Sequence, residues 1–256
     1  MKKTTYILCV CLLCIMAFYE IRHNSEDYVA TAHFAAQVEK ENRQAAEGKK
    51  TAYLTFDDGP SDNTKKILEV LKEKKAVATF FLVGREITPE REEIVKQTVK
   101  QGNAVGVHTY CHEKNKLYCN ADSFFEDFKM ASQSIEQVTG KKPVLHRFPW
   151  GSNNSYVCSY VDALHEKLRE QGIKSFDWNV SGEDSIGGTV AQSTIFRNVK
   201  KDLTRYDDPI ILLHDSATMD NTAAVIGQII DYIRSEGYEF ATLDKREEYM
   251  FPASWR

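Results

Sequence analysis

Positive charge is not in surplus in this chain. Lysine and arginine number 33 against 37 acidic residues, for a net charge of −4. No basic field is there to hold nucleic acid. Internal repeats and long low-complexity tracts are absent, which sets repeat architectures aside. Cysteine is scarce: six in all, three of them (Cys9, Cys11 and Cys14) inside one N-terminal apolar run. The other three, Cys111, Cys119 and Cys158, are an odd count that cannot close completely into intramolecular disulfides. A Cys119–Cys158 pair in an oxidising compartment and three free thiols are the two readings. No Gly-rich phosphate loop follows the first strand-like run, which weakens a nucleotide-binding reading. At 256 residues the chain can bury a sizeable core, as one large domain or two small ones.

The N-terminal run extends from Tyr6 to Tyr19, behind Lys2 and Lys3. As a helix it spans roughly 21 Å, short of the ~30 Å hydrocarbon core of a bilayer. The flanks Thr4, Thr5, Glu20 and Ile21 nearly close the gap, with some bilayer thinning. A cleaved signal peptide needs a small-x-small site just after the run. The nearest such triplet, Ala30-Thr31-Ala32, lies too far downstream. None of the run's cysteines follows a small residue, as a lipidated cysteine would. Residues 1–21 are therefore read as an uncleaved signal anchor, with a cleaved signal peptide as the alternative. The lysine pair predicts a cytoplasmic N-terminus and an extracytoplasmic remainder. Residues 22–50, polar and charged, read as a stalk, and residues 51–256 as the folded domain.

From residue 51 onward, short apolar runs alternate with segments of helical period. The strand candidates are Ala52–Phe56, Val77–Val83, Ala104–Val107, Val144–Phe148, Ile173–Val180, Ile210–Leu213 and Glu239–Leu243. The helix candidates are Lys65–Lys74, Pro89–Lys100 (Pro89 at the first helical position), Asp122–Val138, Tyr156–Glu170, Val190–Leu203 and Thr222–Ser235. This rhythm predicts an α/β fold with a parallel sheet under helices. About seven such units most often close into a barrel, with an open doubly wound sheet as runner-up.

The unusual polar residues collect where these runs end. Asp57 and Asp58 follow the first, His108 the third, Asp184 the fifth and His214 the sixth, while Arg147 sits near the end of the fourth. In a parallel barrel those ends share one face, where active sites are built. His108 and His112 are four apart, so on a helical turn they face the same way. With one carboxylate they make a three-ligand set for a catalytic metal. Asp57 and Asp58 repel each other as neighbours. A division of labour resolves this, one acid gripping a cation and the other reaching the water beside it. Gly59 permits a tight turn and Pro60 stiffens it. Arg147, in an apolar strand, needs a carboxylate partner, and Asp57 is the natural candidate. His214 suits a general acid, with a carboxylate on its second nitrogen.

Together these segments resemble the polysaccharide deacetylases with the NodB homology domain, carbohydrate esterase family 4. The likeness covers roughly Thr51 to Leu243. Thr55-Phe56-Asp57-Asp58-Gly59-Pro60, His108-Thr109-Tyr110-Cys111-His112, Arg147-Phe148-Pro149-Trp150-Gly151 and Leu212-Leu213-His214-Asp215 are similar, in order, to four of its motifs. The resemblance implies a deformed (β/α) barrel of about seven parallel strands, and a hydrolase that removes N-acetyl groups from N-acetylglucosamine-type residues of an extracellular polysaccharide. Peptidoglycan is the favoured polymer. It implies Asp58, His108 and His112 as metal ligands, with zinc the expected ion and cobalt, nickel or manganese the alternatives. It also implies Asp57 as general base, Arg147 as its orienter and His214 as general acid. The Trp150 amide would serve the oxyanion, and Leu212 would line the acetyl pocket. Two positions depart from the family pattern. Trp150 stands where tyrosine is usual. Asp184-Ser185 matches an Asp-Trp motif without its aromatic residue, with Trp150 and Trp178 as candidates to replace that packing. Asp184 is the expected partner of His214, and Asp177 the competitor. An O-acetyl esterase of xylan type and a non-catalytic glycan-binding barrel are the alternative functions.

Overall fold

The computed structural model describes residues 50–255. The anchor reading and nearly all of the stalk, residues 1–49, lie outside the described residues. Among the described residues, no helix is long and apolar enough to cross a membrane.

The first strand, β1, runs Lys50–Gly59, earlier and later than its apolar centre. Ser61 then caps helix α1 (Asp62–Glu73) in a reciprocal capping box with Thr64. There follow β2 (Ala78–Val83), α2 (Glu92–Lys100), β3 (Ala104–Thr109), the single turn α3 (Lys114–Leu117), α4 (Ala121–Thr139), β4 (Leu145–His146), α5 (Val161–Glu170), β5 (Lys174–Ser175), β6 (Val180–Ser181), α6 (Gln192–Leu203), β7 (Ile210–His214), α7 (Asp220–Ser235) and β8 (Tyr238–Phe240). All strand pairs are parallel, in the order β5-β4-β3-β2-β1-β7-β6, with β8 also on β1.

The sheet curls but is not closed by strand pairing, because β5 and β6 stay unpaired to each other. Ile173–Val180, expected as one strand, is split into β5 and β6, so there are eight strands rather than seven. The break has a local cause. The amide of Asp177 donates to Tyr249 O (2.7 Å), and the Tyr249 amide donates to Ser175 O (3.3 Å). The C-terminal segment thus lies along the outer edge of β5. Two helix starts also move. Residues 89–91 form a turn in which the Arg91 and Glu92 amides donate to Thr88 O (2.8 and 3.0 Å), so α2 begins at Glu92 rather than Pro89. Residues 156–160 are turns ahead of α5. The three cysteines of the domain are free thiols.

Period-two alternation sorts each strand between two cores. Ala52, Leu54 and Phe56 of β1 face the helices, as do Ile211 and Leu213 of β7, within the large apolar layer. Tyr53, Phe81, Leu145, Phe176, Ile210 and Leu243 fill the floor of the curled interior. Above the floor, on the same strand faces, come Thr55 and Asp57 of β1, Leu212 and His214 of β7, and Arg147 just past β4.

Candidate active site

Two irregularities in the ladders lie on either side of β2. Along β1, Asp57 pairs with Phe81 and Gly59 with Leu82, so Asp58 is the extra residue. Along β3, Val107 pairs with Leu82 and Thr109 with Val83, so His108 is the extra residue. Bulges re-aim side chains, and they recur beside active sites. Asp58 has φ 76°, in the left-handed region. It therefore leaves the alternation that would have turned it away from Asp57, and both acids line one cleft.

The pair His108 and His112 does come together, but not on a helical turn. His108 is a strand residue, and His112 lies beyond the strand end at φ 51°. Asp127 of α4 holds that bend. Its carboxylate accepts from Thr109 Oγ1 (2.6 Å) and from the amides of Tyr110 (2.7 Å) and Cys111 (3.0 Å). Nε2 of His108 and of His112 then stand 3.4 and 3.3 Å from Asp58 Oδ1. These three residues are a group able to hold a metal ion.

Two observations test whether a cation fits there. Asp58 Oδ1 is buried and has no hydrogen-bond donor, a costly state for a carboxylate oxygen. His108 Nδ1 lies 3.0 Å from Arg147 O. A carbonyl only accepts, so Nδ1 carries the hydrogen and Nε2 presents a lone pair to the acid. Burial, helped by the nearby His112 and Arg147, pushes the His108 pKa well below its ordinary value and keeps the ring neutral. A lone pair facing an undonated carboxylate oxygen fits a divalent cation between them.

Asp57 is buried beside this group. Arg147 Nη1 donates to Asp57 Oδ1 (2.9 Å) and to Thr55 Oγ1 (2.6 Å). The other guanidinium nitrogens donate to Phe176 O (2.9 Å) and Asp177 O (3.2 Å), and the group lies 4.4 Å above the Phe81 ring. The charge is therefore partnered on every side, which makes its complete burial tolerable. Burial pushes the Asp57 carboxyl up to about 6, against the opposing pull of Arg147 and His214.

Across the cleft, Asp184 takes both donors of His214. Its Oδ1 is 2.8 Å from Nδ1, and its Oδ2 accepts from the His214 amide (2.8 Å) and from Thr222 Oγ1 (2.7 Å). Asp184, not Asp177, is thus the partner. Burial alone would lower the imidazole pKa, yet the Asp184 carboxylate and the acids Asp57 and Asp58 lift it to about 9. Asp177 is engaged elsewhere, accepting from the amides of Ser152 (2.9 Å) and Phe251 (2.7 Å) and from Ser152 Oγ (2.5 Å). It ties the Trp150 loop and the C-terminal segment to the interior. Trp150 itself is left-handed at φ 64°. At Gly151, φ is 80°, and an added Cβ would stand 3.0 Å from both the Phe251 and Trp178 rings.

Asp215 received no role in the sequence. It is fully buried, its amide donates to Asp57 O (3.0 Å), its carbonyl accepts from Ser61 Oγ (2.5 Å), and its Oδ2 accepts from Thr64 Oγ1 (2.5 Å). An added Cβ at Gly59 would lie 2.4 Å from Asp215 Oδ2. The glycine is thus required by close approach, because φ there is not left-handed. Asp215, Asp127 and Thr222 are the supports that sequence reasoning missed. The one signal was Asp127's place in the buried stripe of α4, alongside Phe124, Phe128 and Ala131.

Asp57, Asp58, His108, His112, His214, Trp150 and Leu212 all line a cleft of about 500 Å³. Arg147 and Asp184 stand behind it. Trp178, Ser181, Glu183, Ser185 and Ile186 complete the walls, so Trp178 and Trp150 are the aromatic residues at the position where the usual motif tryptophan is missing.

Known proteins share this chain's sequence and fold. The family profile described as Polysaccharide deacetylase matches residues 44–167. A Peptidoglycan-N-acetylglucosamine deacetylase from Bacillus cereus is 33% identical over 211 residues, which span 81% of this chain and 73% of the relative. The crystal structure of the catalytic domain of a peptidoglycan N-acetylglucosamine deacetylase from Eubacterium rectale superposes with a TM-score of 0.73 at 28% identity, covering 80% of this chain and 94% of that one. A CE4 esterase from Streptococcus mutans superposes at 0.70 with 29% identity, covering 79% and 90%. Agreement in sequence over most of both chains, in fold and in motif order leads to one conclusion: this chain belongs to the polysaccharide deacetylase family.

Proposed function

We propose that this enzyme hydrolyses the N-acetyl group of N-acetylglucosamine-type residues in an envelope polysaccharide, with peptidoglycan the favoured polymer. The carrying observation is the convergence of a metal-binding triad, a buried acid and a charged imidazole on one cleft. Peptidoglycan is favoured because relatives in Bacillus cereus and Eubacterium rectale bear that activity in their names. The N-terminal run of residues 1–21 is assigned to the membrane and the domain to its outer side, where the wall lies.

Asp58, His108 and His112 hold a divalent cation, zinc by choice of donors. Such an ion supplies Lewis acidity, polarising the amide carbonyl and making water more acidic. Asp57 takes a proton from the attacking water as the oxygen bonds to the carbonyl carbon. Arg147 fixes the orientation of Asp57, and a cation on the neighbouring Asp58 draws its pKa below about 6, so that it is ionised at neutral pH. The Trp150 amide stabilises the oxyanion. Leu212 receives the acetyl methyl. His214, protonated below about 9, gives its proton to nitrogen as the C–N bond breaks, releasing acetate and a free amine.

The test is acetate release from N-acetylglucosamine oligomers and from peptidoglycan by the zinc- or cobalt-loaded protein. Release from both, abolished by chelation and by Asp58→Ala, supports the reading. Release only from O-acetylated xylan makes it the esterase, an activity class represented among the similar structures. Glycan binding with no turnover in any metal-loaded form makes it a binding barrel.

A further inference from the structure

Large apolar side chains that stay exposed gather at one end of the cleft. Trp150 is 43% exposed, Tyr156 44% and Ile186 66%. Trp150 and Ile186 line the cleft directly, on opposite walls. The Trp150 ring leans on the ligand His112 at 4.6 Å, and the Tyr156 ring meets Trp150 edge-on at 6.2 Å. The two aromatics make a shelf leading outward from the metal-binding triad.

The shelf is rigid. Buried Tyr118 backs Trp150 at 6.2 Å, and its hydroxyl donates to Pro149 O (3.1 Å). Asn154 braces the turn beneath, donating to Pro149 O (3.1 Å) and Gly151 O (2.6 Å) and accepting from the Tyr156 amide (2.9 Å). Rigid, partly exposed aromatic faces bind pyranose rings with little ordering cost.

At the outer end stands Lys114. Its Nζ is 4.8 Å from the Tyr156 centroid and donates to the Tyr156 hydroxyl (3.0 Å). Neighbouring Arg85 and Lys116 are both taken by Glu113. Lys114 has no carboxylate within ion-pairing distance among the described residues. The cleft wall opposite carries Glu183, and its base the two acids. A cation without an acid at the far end of an aromatic shelf complements an anion there and nowhere else along the groove.

We propose that Trp150 and Tyr156 form a second sugar subsite beside the deacetylation cleft, and that Lys114 selects a sugar bearing a carboxylate at that subsite. The inference rests on the glycan deacetylase reading, and it narrows the substrate to an alternating polymer in which the acetamido sugar attacked is flanked by an acidic one. Neutral chitin-like chains would fill the shelf without engaging Lys114.

The test is equilibrium binding and acetate release with two glycans of equal length. One is a neutral N-acetylglucosamine oligomer, the other a peptide-free glycan whose alternate sugars carry lactyl carboxylates. The zinc-loaded protein should bind the carboxylate-bearing glycan more tightly. Lys114→Met should lower that preference by about two- to five-fold, the scale of an exposed ion pair, and leave the neutral oligomer unchanged. Lys114→Arg should restore it, and raised salt should erase it. Tyr156→Ala should weaken both glycans while sparing a single sugar. Equal binding of the two glycans, or a preference untouched by Lys114→Met, overturns the proposal whatever the turnover. A Lys114-dependent preference without acetate release keeps the subsite and defeats the deacetylase reading instead.

Discussion

The floor and the rim of the curled interior are made by the same strands, yet they are opposites in chemistry. The floor is Tyr53, Phe81, Leu145, Phe176, Ile210 and Leu243. The rim is Asp57, Asp58, His108, His112 and His214. Arg147 lies between, stacked on Phe81 below and paired with Asp57 above. The floor gains stability by burying apolar surface. The rim spends part of it, because Asp57 and Asp215 are buried acids lifted to about 6 and about 7. Stability and chemistry are therefore separated along the strand axis over a few residues of β1 and β7.

Substitutions should fall cleanly on one side of this division. The largest effect is expected at the rim. Asp58→Ala should lose bound zinc and cut turnover by roughly a thousand-fold or more, the scale of losing Lewis-acid stabilisation. Asp57→Asn should keep the zinc while losing ~10²–10⁴ in kcat, the reach of general acid–base catalysis. Metal content by atomic absorption, beside acetate release, separates the two. If both variants lose zinc, the division between the neighbouring acids fails. In the floor, Leu145→Ala should cost ~2–5 kcal/mol in denaturant unfolding, with zinc bound per folded molecule unchanged. A loss of metal there would show that floor and rim are not separable.

A subtler probe is the pH profile of kcat/KM. Asp57 acts ionised, so the rate should rise with pH through a limb at or below about 6. His214 acts protonated, so the rate should fall above about 9. Asp184→Asn removes the charge that lifts His214, and the alkaline limb should move to lower pH. An unmoved limb would assign it to another group. The smallest effect belongs to Asp215. Its folded carboxyl titrates at about 7 against an ordinary 3.8. Between those values the folded state keeps a proton that the unfolded state has lost, so stability falls as pH rises. Asp215→Asn should flatten that part of the pH dependence of Tm in the metal-free protein. An equal slope in both proteins would remove Asp215 from the account.

Much of this arrangement is legible in the chain because alternation is local. Ile210-Ile211-Leu212-Leu213-His214 shows which residues face inward once the strand is recognised. The grouping of acids and imidazoles at strand ends follows from parallel topology alone. The bulges are different. Asp58 and His108 are extra residues only with respect to β2, and pairing register is set by neighbours distant in sequence. The break inside Ile173–Val180 depends on a partner more than seventy residues later, Tyr249. Asp127 supports a loop from within a helix, where an acid on the buried face is the only trace of its task.

The docking of Tyr249 and Phe251 on Ser175 and Asp177 carries a consequence for biosynthesis. Translation begins the pocket at Asp57 and does not supply its last brace until Phe251. A nascent chain holding every reactive group still lacks the strip that seals the gap beside β5. Competence is therefore acquired only near the completion of synthesis, and a fusion partner attached behind Trp255 has to leave that strip free to settle.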